Sequence, residues 1–459
     1  MPDLVVLIPG IGGSVLQRHG KTVWAPRPGA ALRAALSLGR SIGDLALDGD
    51  DPALDHLDDG VTAPALVPDL HIVPGLDWKI DGYTRLRRAL FERYDLEEGR
   101  NYLEFPYDWR RDTRVAARNL ERVVRPALKA WRERSGNPEA RLILVGHSMG
   151  GIVSRIFLEF HDGWNITRRL VTFGTPYSGS INALEFLSNG FRKAWGLIDL
   201  SSMLRSFTSV YQLLPSYRCL DVGGEWKLLD EVDAIPNVDP TRLADALRLH
   251  RDLRQAVEDA GEPLTRYDIR PIVGDTQRTK WGARLTRDGV EVRYDRGQGQ
   301  DGGDGTVPRV SAVPPELLDG WRNVSFFSEK HGSLQNDEAV FEHLSGVLRI
   351  IPLETRDVFP AGDTPVALDV DDVSTAEPLE IRALPRDPLP RLEAQVESVA
   401  DGSTQTVRLV EGADGWFRAE VPGLPEGDYR VHVGGAGVRP VTAIAGVVDL
   451  ATLEAGVDG

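Results

Sequence analysis

The run Leu142-Ile143-Leu144-Val145-Gly146-His147-Ser148-Met149-Gly150-Gly151-Ile152 decides the reading of this chain. Its apolar start reads as a buried strand, residues 152–160 read as a helix, and a Gly-x-Ser-x-Gly motif lies at the junction. A serine on a sharp strand-to-helix turn has its hydroxyl exposed above the sheet, and the turn closes only if its neighbours are small. The helix behind it also sets the positive end of its dipole beneath any oxyanion formed there. Ser148 is therefore the candidate nucleophile.

Working outward, short apolar runs at 4–8, 170–173, 269–273 and 324–327 alternate with helical patterns at 83–94, 114–132 and 337–349. This rhythm predicts βα units on a mainly parallel sheet. Residues 24–73, rich in Asp, Ala, Gly and Pro, read as loops and short helices over the sheet. A second insertion at about 177–266 carries Ile181, Leu184, Leu187, Phe191, Trp195 and Leu204 at near-helical intervals. It is either a satellite layer whose apolar face is core or a cap over a site. From about residue 355 the pattern changes to Pro-rich turns and period-two strands at 406–410, 416–421 and 429–433, separated by Gly402, Gly412, Gly423 and Gly427. That pattern predicts a small all-β, immunoglobulin-like sandwich. The expected domains are 1–354, with the insertion inside it, and 355–459.

Composition narrows the function. The 459 residues include 53 Lys+Arg against 69 Asp+Glu, a formal charge of −16. Nucleic acid is excluded as the main partner, because phosphate neutralisation needs clustered positive charge, and strong docking to anionic lipid is disfavoured for the same reason. The single cysteine, Cys219, cannot form an internal disulfide. The N-terminal stretch lacks a basic region and its apolar run is too short for a signal segment. No stretch approaches the roughly 18 apolar residues of a membrane span. A cytoplasmic location is the expectation.

A serine hydroxyl needs a histidine base and a carboxylate to fix the base's tautomer. In the α/β-hydrolase fold the order is Ser, acid, His, which leaves His161, His250, His331, His343 and His432. Of these only His331 lies in a loop between a strand and a helix, Glu329-Lys330-His331-Gly332-Ser333. The acid comes from Asp301-Gly302-Gly303-Asp304-Gly305-Thr306-Val307-Pro308 or is Asp275. A flexible turn or a loose calcium loop is the other reading of that Gly/Asp cluster, but its spacing misses the calcium-loop pattern. Oxyanion donors are expected from the backbone of Met149 and, through Pro9-Gly10-Ile11-Gly12-Gly13-Ser14, of Ile11. The same glycines lack dinucleotide spacing, so no cofactor and no metal are expected.

These segments, with Phe105-Pro106-Tyr107-Asp108-Trp109-Arg110, Phe173-Gly174-Thr175-Pro176-Tyr177-Ser178-Gly179-Ser180 and Ser209-Val210-Tyr211-Gln212-Leu213-Leu214-Pro215, make the chain resemble one branch of the α/β-hydrolases. It is the lecithin:cholesterol acyltransferase-like branch, which includes acyltransferases and A-type phospholipases. The resemblance covers about residues 3–350. It implies Ser148 as nucleophile, Asp304 as acid in preference to Asp275, His331 as base, and a structural role for Tyr107 to Arg110. Secreted members carry disulfides and a signal peptide, so an extracellular lipoprotein role does not transfer. The C-terminal β region lies outside the resemblance.

The resulting expectation is a serine esterase or acyltransferase acting on acyl lipids, with Leu187, Phe191 and Trp195 lining an acyl pocket and transient membrane contact during turnover. A soluble carboxylesterase or amidase for small substrates is the second reading. A degenerate scaffold whose β-domain binds a protein partner is the third. A gated lipase effector, with its partner recruited by that domain, is a variant of the first.

Overall fold

The computed structural model describes residues 1–24, 45–68, 71–72, 79–80, 82–193, 198–261, 266–294, 302–318, 324–348, 364–386, 391–435 and 438–449. A six-stranded sheet is formed by β1 (Leu4–Ile8), β2 (Tyr102–Glu104), β3 (Leu142–His147), β4 (Thr167–Phe173), β5 (Asp268–Gly274) and β6 (Ser325–Phe327). The spatial order is β6-β5-β4-β3-β1-β2, and every pair is parallel. β1 and β3 are buried along their whole length, as strands covered on both faces must be, which is why they read as unbroken apolar runs.

Successive side chains of β1 divide between two cores. Val5 and Leu7 pack with Ile143, Val145, Val171 and Phe173, whereas Leu4, Val6 and Ile8 pack with Leu142, Leu144 and Leu170. The first face is covered by α1 (Thr84–Arg93) and α6 (Glu338–Leu348), the second by α2 (Thr113–Ser135) and α3 (Met149–Phe160). In α2, Asp112 caps the start by accepting from the Arg114 N–H, and Gly136, at φ 67°, ends it. Its buried Leu120, Val124, Leu128 and Trp131 recur at helical spacing and form the stripe that meets the sheet.

The chain leaves β1 for β2 on one side and then returns to β3 on the other. Strand order therefore reverses at β1, and the crevice beyond the carboxyl ends of β1 and β3 is the natural ligand position in such a sheet. The Pro9 to Ser14 loop and Ser148 both emerge there.

The second insertion is helical as expected in α4 (Ile181–Asn189), in the short helices Ser201–Ser206 and Thr208–Gln212, and in α5 (Pro240–Asp259). It is not wholly helical. Leu220–Val222 and Glu225–Lys227 join Gly282–Leu285 and Val290–Arg293 in a mixed four-stranded sheet. Residues 25–44 of the first insertion and the expected boundary at 354/355 lie outside the described residues.

The C-terminal body is all-β. Its strands are β7 (Val366–Val370), β8 (Val373–Ser374), β9 (Leu379–Pro385), β10 (Leu392–Ser398), β11 (Thr404–Glu411), β12 (Phe417–Val421), β13 (Gly427–Gly434) and β14 (Val441–Val448). They form one ladder in the order β7-β9-β12-β11-β10-β13-β14-β8. β11 pairs with β10 from Thr404 to Leu409 and with β12 through Val410 and Glu411, so it carries the ladder from one layer to the other. Alternate residues, including Val366, Ile381, Val396, Phe417, Val431 and Val441, fill a single core. The molecule thus combines an α/β-hydrolase fold with an all-β sandwich. Among the described residues, no helix is long and apolar enough to cross a membrane.

Candidate active site

Ser148 joins β3 to α3 with φ 53° and ψ −124°. A non-glycine residue held there stores about 1–3 kcal/mol of strain, so the surroundings must fix it. The Ser148 N–H donates to the Phe173 carbonyl at 2.8 Å, while its own carbonyl accepts from Thr175 Oγ1 at 2.9 Å and from the Gly151 N–H at 3.0 Å. The strained turn lifts the hydroxyl into the crevice.

Two loops from the far side of the sheet meet it. Ser148 Oγ donates to His331 Nε2 at 2.9 Å, and His331 Nδ1–H donates to Asp304 Oδ2 at 2.7 Å. Asp304 Oδ1 accepts the N–H groups of Thr306 at 2.9 Å and Val307 at 2.7 Å, so the carboxylate has a fixed orientation. Asp304 is 1% exposed and Ser148 6%. A Cβ added at Gly274, the last residue of β5, would lie 2.3 Å from the Asp304 Cβ. Only glycine lets the acid approach that strand end.

The other sequence candidates have different partners. Asp275 donates its N–H to the Phe327 carbonyl and pairs with Arg309 at 3.4 Å. His161 contacts Glu121, His250 the Gln212 carbonyl, His343 Ser325 and His432 Thr442. Asp301 lies outside the described residues.

The glycine loop after β1 packs directly on the serine. A Cβ on Gly10 would come within 2.8 Å of the Ser148 Cβ. The loop is clamped from outside: Tyr107 Oη donates to the Pro9 carbonyl at 2.9 Å, Trp109 Nε1 to the Ser14 carbonyl at 3.0 Å and Trp24 Nε1 to the Gly12 carbonyl at 2.8 Å. Arg110, fully buried, pairs with Asp108 and Asp59 and donates to the Leu45 carbonyl. The Tyr107 to Arg110 segment is therefore structural. Among the described residues, the N–H groups of Ile11 and Met149 have no protein acceptor, which leaves both free to receive a developing oxyanion.

Tyr83 and His147 were not singled out from sequence, although His147 sits inside the motif. The Gly10 N–H donates to Tyr83 Oη at 3.0 Å, Tyr83 donates to His147 Nδ1 at 2.9 Å, and His147 Nε2–H donates to the His331 carbonyl at 3.2 Å. One buried chain of bonds thus links the Pro9 to Ser14 loop, β3 and the His331 loop. Burial, helped by the charge of a protonated His331, pushes the His147 pKa down to about 3, so the ring is neutral. Burial pushes the Tyr83 phenol well above its ordinary range.

Beside Ser148 lies a narrow pocket walled by Ile11, Ala183, Phe186, Val210, Leu213 and Val307, with a volume of about 50 Å³. Asn182 also lines it, and its amide oxygen is buried with no partner among the described residues. The expected pocket residues are placed differently. Leu187 is fully buried in the core, one residue and a third of a turn from Phe186 on α4. Phe191 is 3% exposed and packs edge-on behind Phe186 with ring centroids 5.1 Å apart. Trp195 lies outside the described residues. Among those residues, no group of three or more His, Cys, Asp or Glu could hold a metal.

The sequence profile of the family described as lecithin:cholesterol acyltransferase matches residues 79–241. That span holds Tyr83, the Tyr107 to Arg110 segment, Ser148 and α4, but neither Asp304 nor His331. An uncharacterised protein of Saccharomyces cerevisiae is 27% identical over 177 residues, covering 38% of this chain and 23% of that protein. The chain therefore matches less than a quarter of its relative's length. Among solved structures, the lipase BlEst2 of Bacillus licheniformis in its propeptide form is 13% identical and covers 96% of this chain and 73% of that one, with a TM-score of 0.32. Phospholipase PlaB of Legionella pneumophila is 11% identical and covers 97% of this chain and 92% of its own, with a TM-score of 0.34. Over residues 79–241 the chain is thus similar to the lecithin:cholesterol acyltransferase family.

Proposed function

We propose that this chain is a serine esterase of acyl lipids, in which Ser148 is the nucleophile, His331 the general base and Asp304 the acid that orients it. The observation that carries the reading is the hydrogen-bonded line Ser148–His331–Asp304 at the mouth of an apolar pocket. Ser148 Oγ attacks the ester carbonyl while His331 Nε2 takes its proton, and Asp304 stabilises the imidazolium. The N–H groups of Ile11 and Met149 hold the tetrahedral oxyanion. Its collapse transfers the proton from His331 to the leaving alcohol and leaves the acyl group on Ser148. Water or a second alcohol then attacks through the same base, giving hydrolysis or acyl transfer. Lipid substrates lie in aggregates, so transient contact with a membrane surface belongs to this reading.

The small volume of the pocket, about 50 Å³, favours a second reading, a carboxylesterase for short esters. Mass spectrometry of a total bacterial lipid extract, incubated with the wild-type protein and with Ser148→Ala, separates the two. Fatty acid and lysophospholipid formed by the wild type alone support the lipid esterase, and acylated alcohols indicate transfer. An unchanged extract together with turnover of short soluble esters moves the assignment to the second reading.

A further inference from the structure

The all-β body meets the hydrolase body at the loops that carry Asp304 and His331. The key side chain is Gln277, 1% exposed, three residues beyond the end of β5. Its backbone pairs with Gly303, the residue before Asp304: the Gln277 N–H donates to the Gly303 carbonyl at 3.0 Å and the Gly303 N–H to the Gln277 carbonyl at 3.3 Å. Its Nε2 donates to the Ser328 carbonyl at 2.5 Å, in the loop that leads to His331, and to the Val366 carbonyl of β7 at 3.1 Å. Its Oε1 accepts the Leu368 N–H, also of β7, at 3.0 Å. With carbonyls at the nitrogen and an N–H at the oxygen, the amide has one consistent orientation. A second tie comes from the next residue of the base loop. Glu329, 3% exposed, accepts the Thr442 N–H of β14 at 3.2 and 3.3 Å on its two oxygens.

Beside these ties the two bodies do not pack continuously. A cavity of about 330 Å³ opens between Ser328, Glu329 and Asp337 on one side and Arg439 and Pro440 on the other. Here the contact between the bodies runs through directional polar bonds from Gln277, which is held to Gly303 and Ser328, and from Glu329, so that each tie is anchored one to three residues from the acid or the base. The N–H of His331 in turn donates to the Asp304 carbonyl at 2.9 Å, so a shift of either loop is passed to the other.

We propose that Gln277 and Glu329 are positioning residues through which the all-β body sets the Asp304–His331 geometry, so that this body is a working part of the hydrolase. This rests on the assignment of Ser148, His331 and Asp304 made above. A misplacement of about 1 Å in a reacting group costs on the order of 10²-fold in rate, whereas most of the pocket wall, from Ile11, Ala183, Phe186, Val210 and Leu213, belongs to other segments, so binding should change less than rate.

The test is progress-curve inactivation of the full-length chain by a p-nitrophenyl alkylphosphonate, with released p-nitrophenol giving the fraction of competent sites. Gln277→Ala, Glu329→Ala and the conservative Glu329→Gln are compared with wild type. The expected result is a first-order inactivation constant at least about tenfold lower for both alanine variants. The inhibitor's half-saturation stays within about twofold, the labelled fraction is unchanged, and Glu329→Gln, which keeps an acceptor, recovers most of the rate. Inactivation constants equal to wild type in both alanine variants overturn the proposal. So does a smaller labelled fraction at an unchanged constant, because that is the mark of a merely structural contact. If wild type is not labelled at Ser148, the esterase assignment falls and this inference falls with it. Labelling of wild type with indifferent variants removes this inference alone.

Discussion

At the scale of single residues, the Asp304 carboxylate has its two oxygens assigned to different tasks. Oδ1 takes the N–H groups of Thr306 and Val307, and Oδ2 takes His331 Nδ1–H. In Asp304→Asn the amide oxygen stays with the two backbone donors, since turning it round would leave both unsatisfied. The NH₂ then faces His331, which must turn its unprotonated Nδ1 toward it and carry its proton on Nε2. That tautomer cannot accept from Ser148. The expected result is a fall in kcat of about 10³–10⁴-fold with little change in KM or in thermal stability. Activity within threefold of wild type would mean that Asp304 does not govern the base. The same logic shows why Tyr83 and Gln277 escaped the sequence reading. Both act through bonds to partners far away in the chain, and no spacing or motif marks such a partner.

At the scale of elements, α4 sets one wall of the pocket beside Ser148, the acyl site in the proposed function. Phe186 and Ala183 face the pocket, whereas Leu187 is turned into the core and Phe191 braces Phe186 from behind. Phe186→Ala removes a ring from the pocket wall and enlarges the pocket. The kcat/KM ratio for long-chain over short-chain p-nitrophenyl esters should rise about tenfold, as each added methylene in an apolar pocket is worth 1–3 kcal/mol at most. An unchanged ratio across chain lengths would show that acyl groups enter by another route. The elements that position Ser148 were legible because β3 is an unbroken apolar run, ended by glycines and followed by a helix with its own periodicity. The pocket-lining side of α4 was not. A near-helical run of Ile181, Leu184, Leu187 and Phe191 announces a buried stripe, but it cannot say which edge of the stripe borders a pocket. The mixed four-stranded sheet was missed for a different reason. Leu220–Val222 and Glu225–Lys227 are short, partly exposed and charged, and the first of them pairs with Gly282–Leu285 far along the chain. The one local signal was Gly223-Gly224, whose φ values of 64° and 92° suit a tight hairpin.

At the scale of the whole molecule, buried groups in the two bodies, His147 and His250 in one and Asp428 in the other, respond to pH with opposite sign. In the hydrolase body, burial holds His147 at a pKa of about 3 and His250 at about 4, below the 6.5 of a free histidine. The unfolded chain binds more protons there, so the stability these groups contribute is present above pH 6.5 and is lost as pH falls toward 3–4. In the all-β body, burial and then the neighbouring charge of Asp372 push the Asp428 pKa up to about 7 from 3.8. Its folded form holds the proton more tightly, so its contribution is present at low pH and is lost as pH rises from 3.8 through 7. At pH 8 the ionised carboxylate costs on the order of 2–4 kcal/mol, which Asp428→Asn removes. Calorimetry at pH 8 should show the Asp428→Asn variant melting several degrees above wild type, with the gain fading as pH is lowered toward 4. An equal gain at both pH values would mean that the amide stabilises by packing and that Asp428 is ionised throughout. Because Gln277 and Glu329 tie this body to the loops of Asp304 and His331, the pH 8 gain should also extend the lifetime of esterase activity on heating, although Asp428 lies far from the serine in sequence and belongs to the other body.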